Sequence, residues 1–342
     1  MFTHAVGSLQ LAPTGIITTS RIIAMTDSYF KVQIPSQCSG DRLDIALTTL
    51  FPEFSRSRLQ KWIKQGLVQV DHEYRKPKDT VHEGEWVEVW ASVEQSNQWQ
   101  AQAIDLEVVY EDEDIIVINK PAGLVVHPGA GNPDGTLSNG LLYAYPQLTS
   151  VPRAGVIHRL DKDTTGLLVV ARTLAAHKTL VEQLQAREFE RCYQALCCGV
   201  LNSGGTVDQP IRRHPLHRTR MAVVSGGKEA VTHYRVGERF RFHTLLNVRL
   251  ETGRTHQIRV HMAFIHHPLV GDPTYGGRLK LSSNCSERFT TELRSFKRQA
   301  LHAQKLGLQH PRSGEVLQWE APLPEDMMSL IAAAREDAEA GC

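Results

Sequence analysis

Residues 156–173, VIHRLDKDTTGLLVVART, combine a charged segment with a continuous apolar run. The first part is a run of charged and polar side chains at residues 158–165, and the apolar run 167–171 follows. A short apolar run of this kind is typical of a buried strand, and a polar loop that leads into such a strand lies at the rim of the sheet. The pattern therefore predicts charged side chains at the edge of a cleft, against the alternative of mutually satisfied surface ion pairs.

Other segments extend this pattern along the chain. The turn NKPAG (119–123) follows an apolar run, Tyr193 opens another run after Arg191, and GRTHQIRVH (253–261) follows a third and opens a helix. These patterns predict strands at 115–119, 166–171, 193–198 and 245–250, and a helix at about 174–188 capped by Thr173. Together they predict one large α+β domain.

Composition limits the class of protein. A chain of 342 residues corresponds to about two domains at ~150 residues each. The 38 basic and 37 acidic residues balance to a net charge of +1, so nucleic-acid binding must come from local basic patches. No apolar run approaches the ~20 residues of a membrane helix, and the six cysteines form no C-x-x-C pair. We expect a cytoplasmic protein with reduced thiols and no membrane association.

Residues 28–92 have the pattern of a small separate module. A helix is predicted behind Asp41 as its N-cap, and a second helix from Ser55 to a stop at Gly66, followed by strands at 67–70 and 86–90. The second helix carries four basic side chains and no acid: Arg56, Arg58, Lys61 and Lys64. The layout resembles the S-four-type RNA-binding module, named after a ribosomal protein, although a solvated helix face is the alternative interpretation.

The remaining boundaries follow from composition. Residues 1–27 are predicted as a disordered extension and residues 93–103, rich in Gln and Ser, as a linker. The large domain then covers 104–324, with a polar, irregular surface excursion at 280–300, and a helical tail covers 325–342.

A second basic region lies inside the large domain. Residues 209–228 contain no acid, which is unusual in a chain whose charges are otherwise balanced. This region is predicted to bind RNA phosphates rather than to be only a solvated loop, and its candidate residues are Arg212, Arg213, Arg218 and Arg220.

No metal site or cofactor site is predicted. His256 and His261 are five residues apart, so on a helix they point about 140° from each other and cannot share a metal ion. The neighbouring pairs His266–His267 and Cys197–Cys198 point to opposite faces of an extended chain, so neither pair can chelate a metal ion. His158 near Asp161 suggests a hydrolytic dyad, but no Ser or Cys lies on a nucleophile-elbow motif.

The segments at 156–173, 117–129, 251–277 and 299–311 together resemble the RluA family of pseudouridine synthases. This resemblance implies a large mixed-sheet catalytic domain behind a small S-four-like module. It also implies an isomerase that breaks the N-glycosidic bond of a uridine, turns the base over and rejoins it through carbon. By the same resemblance, Asp161 matches the essential aspartate and Arg259 the arginine that pairs with it. Arg159 matches the arginine that fills the space left by the flipped-out uridine. Tyr193 matches the tyrosine that stacks on the target base and is proposed to move a proton.

The chemistry needs these residue types. An ionised carboxylate in a cleft loses hydration, and a fixed guanidinium such as Arg259 offsets that loss and orients the oxygens. A carboxylate near the sugar stabilises the positive character that builds there as the glycosidic bond breaks. The sequence leaves open whether Asp161 attacks the ribose, attacks the base or drives a glycal route.

The resemblance implies large-subunit (23S) ribosomal RNA, or a pre-ribosomal particle, as the partner of a monomeric enzyme without a cofactor. Two alternatives remain open at this stage. One is a non-catalytic rRNA-binding factor in subunit assembly, and the other is the same chemistry on another RNA.

Overall fold

The computed structural model describes residues 28–52, 54, 56–91, 99–129, 131–217, 219–279 and 284–340. These residues belong to two compact units, one within Met1–Gln98 and one within Trp99–Cys342. The predictions for the N-terminal extension at 1–27 and for most of the linker lie outside the described residues.

The N-terminal unit has two helices and a three-stranded antiparallel sheet, ordered β1-β3-β2, in its described part. Its elements are β1 (Ser28–Gln33), α1 (Leu43–Leu50), α2 (Arg56–Lys64), β2 (Val68–Val70) and β3 (Trp86–Ala91). Leu47 of α1 and Leu59 of α2 are fully buried in its core. Both helices and the strands β2 and β3 lie nearly at their predicted bounds, whereas β1 was not predicted.

The prediction that Asp41 caps α1 is wrong. The N-cap is Arg42, and its side chain makes no capping bond. The first amides of the helix donate instead to backbone carbonyls of the 77–79 loop, Leu43 N–H to Asp79 (2.8 Å) and Asp44 N–H to Pro77 (3.1 Å). Backbone acceptors therefore satisfy the donors that a side-chain cap would otherwise satisfy.

The second unit is built on a large mixed sheet. Its described strands are β4 (Val108–Glu111), β5 (Ile115–Lys120), β6 (Thr165–Ala171), β7 (Glu190–Cys198), β8 (Gly205–Asp208), β9 (Ile211–Arg213), β10 (Met221–Val223), β11 (Val231–Arg239), β12 (His243–Leu250), β13 (Leu301–Gln309) and β14 (Val316–Glu320). The sheet order is β4-β5-β6-β13-β7-β12-β11-β8, β14 pairs with β13, and β9 and β10 form a separate hairpin. The pairs are antiparallel except for β6 with β13, which is parallel. This mixed sheet confirms the predicted fold class.

Helices cover the sheet: α3 (Leu137–Ala144), α4 (Leu174–Gln185), α5 (Gln257–Phe264), α6 (Glu287–Ser295) and α7 (Glu325–Ala340). The predicted cap of α4 is confirmed, because the Thr173 side chain accepts the amide of Ala176. Every residue of β6 is buried, as its apolar run indicated.

The prediction of an irregular excursion at 280–300 is wrong for α6. Phe289 and Leu293 of this helix are buried against Leu330 and Ile331 of α7. Two apolar residues four apart lie on one helix face, and the Ser286 side chain caps the helix by accepting the Phe289 amide at 3.2 Å. The Ser286 cap and the apolar pair that packs against α7 therefore stabilise a helix whose other residues are polar.

Gly166 permits the central strands to meet. It is the second residue of β6 and pairs with Ala303 of the parallel neighbour β13, with φ of +109°. A Cβ at this position would lie 2.2 Å from the carbonyl oxygen of Ala303, closer than any side chain allows. Glycine is therefore required where the loop that carries Asp161 enters the sheet.

Candidate active site

A cleft of about 560 Å³ opens beside β6 and β7. The loop before β6, the strand β7 and the loop between β12 and α5 line it. The cleft brings together the four residues that the sequence placed in the catalytic centre: Arg159, Asp161, Tyr193 and Arg259.

Arg259 lies between two carboxylates. Its Nη1 donates to Asp161 Oδ2 at 2.9 Å, while its Nε and Nη2 donate to the two oxygens of Asp272 at 2.7 and 2.9 Å. The Asp161 side chain is 15% exposed toward the cleft, and that of Asp272 is fully buried. The bidentate pair with Asp272 fixes the guanidinium plane, which leaves one nitrogen for Asp161.

The electrostatics of this cluster favour full ionisation of Arg259 and Asp272. Burial opposes the charged form of both groups, but the paired charges outweigh it. The pKa of Arg259 is therefore raised, and that of Asp272 lies below its usual value. The backbone amides of Thr274 and Tyr275 also donate to Asp272 and stabilise its charge. Asp272 was not singled out from the sequence, because its partner lies 13 residues away and on a helix.

Tyr193 and Arg159 differ in exposure. Tyr193 is 7% exposed in the middle of β7, and burial raises the pKa of its hydroxyl, with Arg191 opposing the shift. Arg159 is exposed at the cleft, two residues before Asp161. Both residues line the same cleft, the aromatic ring in its wall and the long basic side chain exposed to solvent.

A buried lysine, Lys120, holds the backbone of the Asp161 loop. Lys120, fully buried at the end of β5, donates from Nζ to the carbonyls of Pro121, Leu124 and Lys162 at 2.7 to 2.9 Å. Burial lowers the pKa of Lys120 to about 7, and Asp163 and Asp161 oppose this shift. The lysine thereby joins the turn after β5 to the residue next to Asp161.

His158 takes no part in a hydrolytic dyad. Its Nε2 accepts the backbone amide of Val169 at 3.0 Å, and burial, with the charge of Arg191, lowers its pKa to about 3. A neutral imidazole that accepts a strand amide has a structural role.

The histidines of GRTHQIRVH have separate environments. His261 is fully buried and contacts the hydroxyl of Thr232 and the carbonyl of Gln209. His256 faces the cleft, with its Nε2 3.9 Å from Asp161 Oδ1. The sequence pattern suggested His256 only as a metal ligand, and its position beside Asp161 was not predicted.

One side-chain group among the described residues has metal-ligand geometry. Ligand atoms of Asp112, Asp114 and His310 lie within 4.8 Å of one another. Asp112 accepts two backbone amides and the Tyr110 hydroxyl, and Asp114 pairs with Arg312. Protein donors therefore already satisfy this group.

The acid-free basic segment, predicted as a loop, forms the β9–β10 hairpin. Arg212 and Arg213 are exposed on β9, and Arg220 is exposed just before β10. Arg218 lies outside the described residues.

In the N-terminal unit, the basic residues of α2 have two kinds of surroundings. Arg56 donates through Nη2 to Asp44 Oδ2 at 2.8 Å, and Asp44 is fully buried, so this arginine joins α2 to α1. The guanidinium of Arg58 lies 5.9 Å from the ring centre of Trp62. Arg58, Lys61 and Lys64 have exposed side chains.

The cleft is strongly basic in a nearly neutral chain. Two carboxylates, Asp161 and Glu251, line it together with six arginines: Arg153, Arg159, Arg187, Arg191, Arg254 and Arg259. Such a concentration of one sign attracts a polyanion. None of the helices in the described part of the chain is long and apolar enough to cross a membrane.

Comparison with known proteins defines the class. Residues 114–264 match the family described as RNA pseudouridylate synthase, and residues 41–87 match the S4 domain. The chain belongs to the RNA pseudouridine synthase family, which confirms the resemblance seen in the sequence, and it is therefore an isomerase.

Particular relatives are more specific. The chain is 57% identical over 308 residues to ribosomal large subunit pseudouridine synthase D of Pseudomonas aeruginosa, covering 90% of this chain and 96% of that one. It is 58% identical over 301 residues to the synthase of the same name in Escherichia coli K12, covering 88% and 92%. Among solved structures, human RNA pseudouridylate synthase domain containing 4 is similar with a TM-score of 0.54 and 27% identity, covering 67% of this chain and 93% of that chain.

Proposed function

We propose that this enzyme converts specific uridines of large-subunit ribosomal RNA to pseudouridine, and that Asp161 is the carboxylate on which the reaction depends. The observation that carries the proposal is the Asp161–Arg259 pair at 2.9 Å in a cleft lined by arginines. The names of the relatives supply the RNA. We further propose that the enzyme acts as a monomer in the cytoplasm, on the RNA or on a pre-ribosomal particle.

The geometry suits an extruded nucleotide. A uridine in a helix or loop must leave its stack before its glycosidic bond can be reached, which costs a few kcal/mol. The ring of Tyr193 offers a stacking surface inside the cleft, and the exposed Arg159 is placed to fill the gap in the RNA. Both contacts offset the cost of extrusion.

Asp161 is placed to act at the glycosidic bond. One of its oxygens accepts from Arg259, while the other has no hydrogen bond to Arg259 and faces the cleft near His256. As the bond from N1 to C1′ breaks, the sugar gains positive character that this carboxylate stabilises. Bond formation from C5 to C1′ and transfer of the C5 proton to N1 complete the isomerisation.

We propose two phosphate-binding surfaces outside the cleft. One is the α2 face with Arg58, Lys61 and Lys64, and the other is the β9–β10 hairpin with Arg212, Arg213, Arg218 and Arg220. Arg56 contributes to the first surface mainly by holding α2 against α1 through Asp44.

The test is a map of pseudouridines in total RNA at single-nucleotide resolution, from cells with and without the gene. We expect specific positions in large-subunit RNA to be unmodified without the gene and restored by the parent gene. If cells without the gene lacked pseudouridines only in transfer RNA, the proposed substrate would be contradicted.

Asp161→Asn tests the catalytic assignment. The variant keeps the shape of the side chain but not its charge, and the Arg259–Asp272 pair remains to hold the fold. We therefore expect a melting temperature near that of the parent, retained RNA binding and no detectable product. Turnover by the pure variant would move the chemistry to another residue. If Asp161→Asn restores the missing pseudouridines in cells although the pure variant is inactive, another enzyme makes them, and this chain acts as a non-catalytic binding factor.

A further inference from the structure

His256 lies beside Asp161 and has no part in the chemistry proposed above. Its Nε2 is 3.9 Å from Asp161 Oδ1, whereas Arg259 binds the other oxygen, Oδ2. A hydrogen bond requires a separation near 3 Å, so the imidazole and the carboxylate face each other without bonding. The His256 side chain is 21% exposed and lines the cleft.

The backbone at His256 has an uncommon conformation. Its φ of 57° and ψ of 22° lie in the left-handed region, and the next residue begins α5. Few residues other than glycine adopt this conformation, and those that do gather at functional sites. The turn carries the imidazole into the cleft one helical turn before Arg259.

A chain of hydrogen bonds indicates which nitrogen carries the proton. The Tyr275 hydroxyl oxygen accepts the backbone amide of Met221 at 2.9 Å and lies 2.8 Å from His256 Nδ1. The arrangement that pairs every polar hydrogen has the Tyr275 O–H donating to Nδ1, since the oxygen already accepts from Met221. The proton of a neutral His256 is then on Nε2, the nitrogen that faces Asp161.

The charged groups around His256 favour the neutral form. Burial lowers its pKa, Asp161 and Asp272 oppose this shift, and Arg259 and Arg159 add to it. The side chain therefore presents a fixed, uncharged N–H donor to the cleft at neutral pH.

We propose that His256 is a substrate-binding residue that donates its Nε2–H to the 2′-hydroxyl oxygen of the target uridine. The inference rests on the proposed function, because Asp161 must then lie at the glycosidic bond. The 2′-hydroxyl is on the carbon next to C1′, so it reaches the space between His256 and Asp161 Oδ1. A hydroxyl both accepts and donates, so it accepts from His256 on one side and donates to Asp161 on the other.

The test pairs a side-chain deletion with a substrate deletion. Parent and His256→Ala enzymes are assayed on a large-subunit RNA fragment that contains the mapped uridine, and on the same fragment with 2′-deoxyuridine at that position. We expect His256→Ala to lower kcat/KM by about tenfold on the ribose substrate, the effect of one hydrogen bond. On the deoxy substrate we expect the two enzymes to be equal.

Two further variants separate contact from structure. His266→Ala removes an exposed imidazole with a similar φ of 67°, and it should leave both rates unchanged. Tyr275→Phe keeps the ring over Arg259 but removes the hydroxyl that bonds Nδ1, and it should lower the rate on the ribose substrate alone.

An equal decrease on both substrates for His256→Ala would overturn the inference, as would full activity on the ribose substrate. If the parent enzyme leaves both fragments unmodified, the proposed function itself fails, and that outcome is distinct from an absence of coupling between His256 and the hydroxyl.

Discussion

Arg259 distributes its nitrogens unequally, two to Asp272 and one to Asp161. The buried pair with Asp272 determines where the guanidinium lies, and Asp161 receives the remaining donor. Asp272 is a positioning residue in this arrangement, because it acts on the cleft through Arg259. A lysine at position 259 could not serve both carboxylates with the same fixed geometry.

Arg259→Met should reverse the pH dependence of stability. In the parent, the pKa of Asp272 is lowered by its partner, so its contribution is present above about pH 4 and disappears on further acidification. Without the arginine, burial raises the pKa of Asp272, and the ionised carboxylate destabilises the fold by about 3–5 kcal/mol. The variant should therefore gain stability from pH 7 toward pH 4.5, where the parent is flat.

Urea unfolding across pH 4.5–7 measures this effect. The double variant Arg259→Met/Asp272→Asn is the control, and its pH slope should match the parent. A persistent slope in the double variant would show that another group titrates.

Tyr193 should act by stacking. Because burial raises the pKa of its hydroxyl, the group stays protonated at neutral pH and is a poor proton acceptor. Tyr193→Phe should keep turnover within about tenfold, whereas Tyr193→Leu should lose the ~1–3 kcal/mol of base stacking. A decrease of about 10²–10⁴-fold in the Phe variant would instead assign proton transfer to the hydroxyl.

At the scale of the elements, the parallel pairing between β6 and β13 depends on Gly166. Gly166→Ala forces a Cβ to within 2.2 Å of the Ala303 carbonyl oxygen at a φ of +109°. We expect it to lower the free energy of unfolding by more than about 3 kcal/mol. The matched control is Gly123→Ala, with a φ of +84° and open space, which should cost only the ~1–2 kcal/mol of the left-handed backbone. Equal decreases would show that β13 moves aside freely.

The sequence predicted those elements whose apolar pattern is continuous. The strands β5 and β6 were predicted within a residue or two of their bounds, because every residue of β6 and every residue of β5 except Asn119 is buried. The helix α6 was missed because its two buried apolar residues are isolated among polar ones, although Ser286 caps it and α7 packs against it. Asp161 and Arg259 were found through their motifs, whereas the roles of Asp272 and His256 depend on distances that no linear pattern contains.

For the whole molecule, binding should have two electrostatic components, one in each unit. The variant with Arg58→Gln, Lys61→Gln and Lys64→Gln should reduce the slope of log affinity against log salt by about 0.7–0.9 for each phosphate that α2 no longer neutralises. Filter binding to large-subunit RNA at several salt concentrations measures the slope.

The control for charge alone is the variant with Lys178→Gln, Arg294→Gln and Lys297→Gln, three exposed residues of the second unit that lie outside the cleft and the basic hairpin. Its salt slope should equal that of the parent. A similar decrease in both variants would mean that overall charge, not the α2 face, determines binding.

The pairing of β6 with β13 has a consequence for the synthesis of the enzyme. Thr165 and His302, which contact each other in this pair, are 137 residues apart in the chain. At about 5–20 residues per second, a ribosome needs roughly 7–27 seconds to make the partner strand. During that time one edge of the largely apolar strand β6 has no partner, with β5 on its other side. The loop that carries Asp161 enters the sheet at this pair, so the catalytic cleft is complete only after β13 has been made.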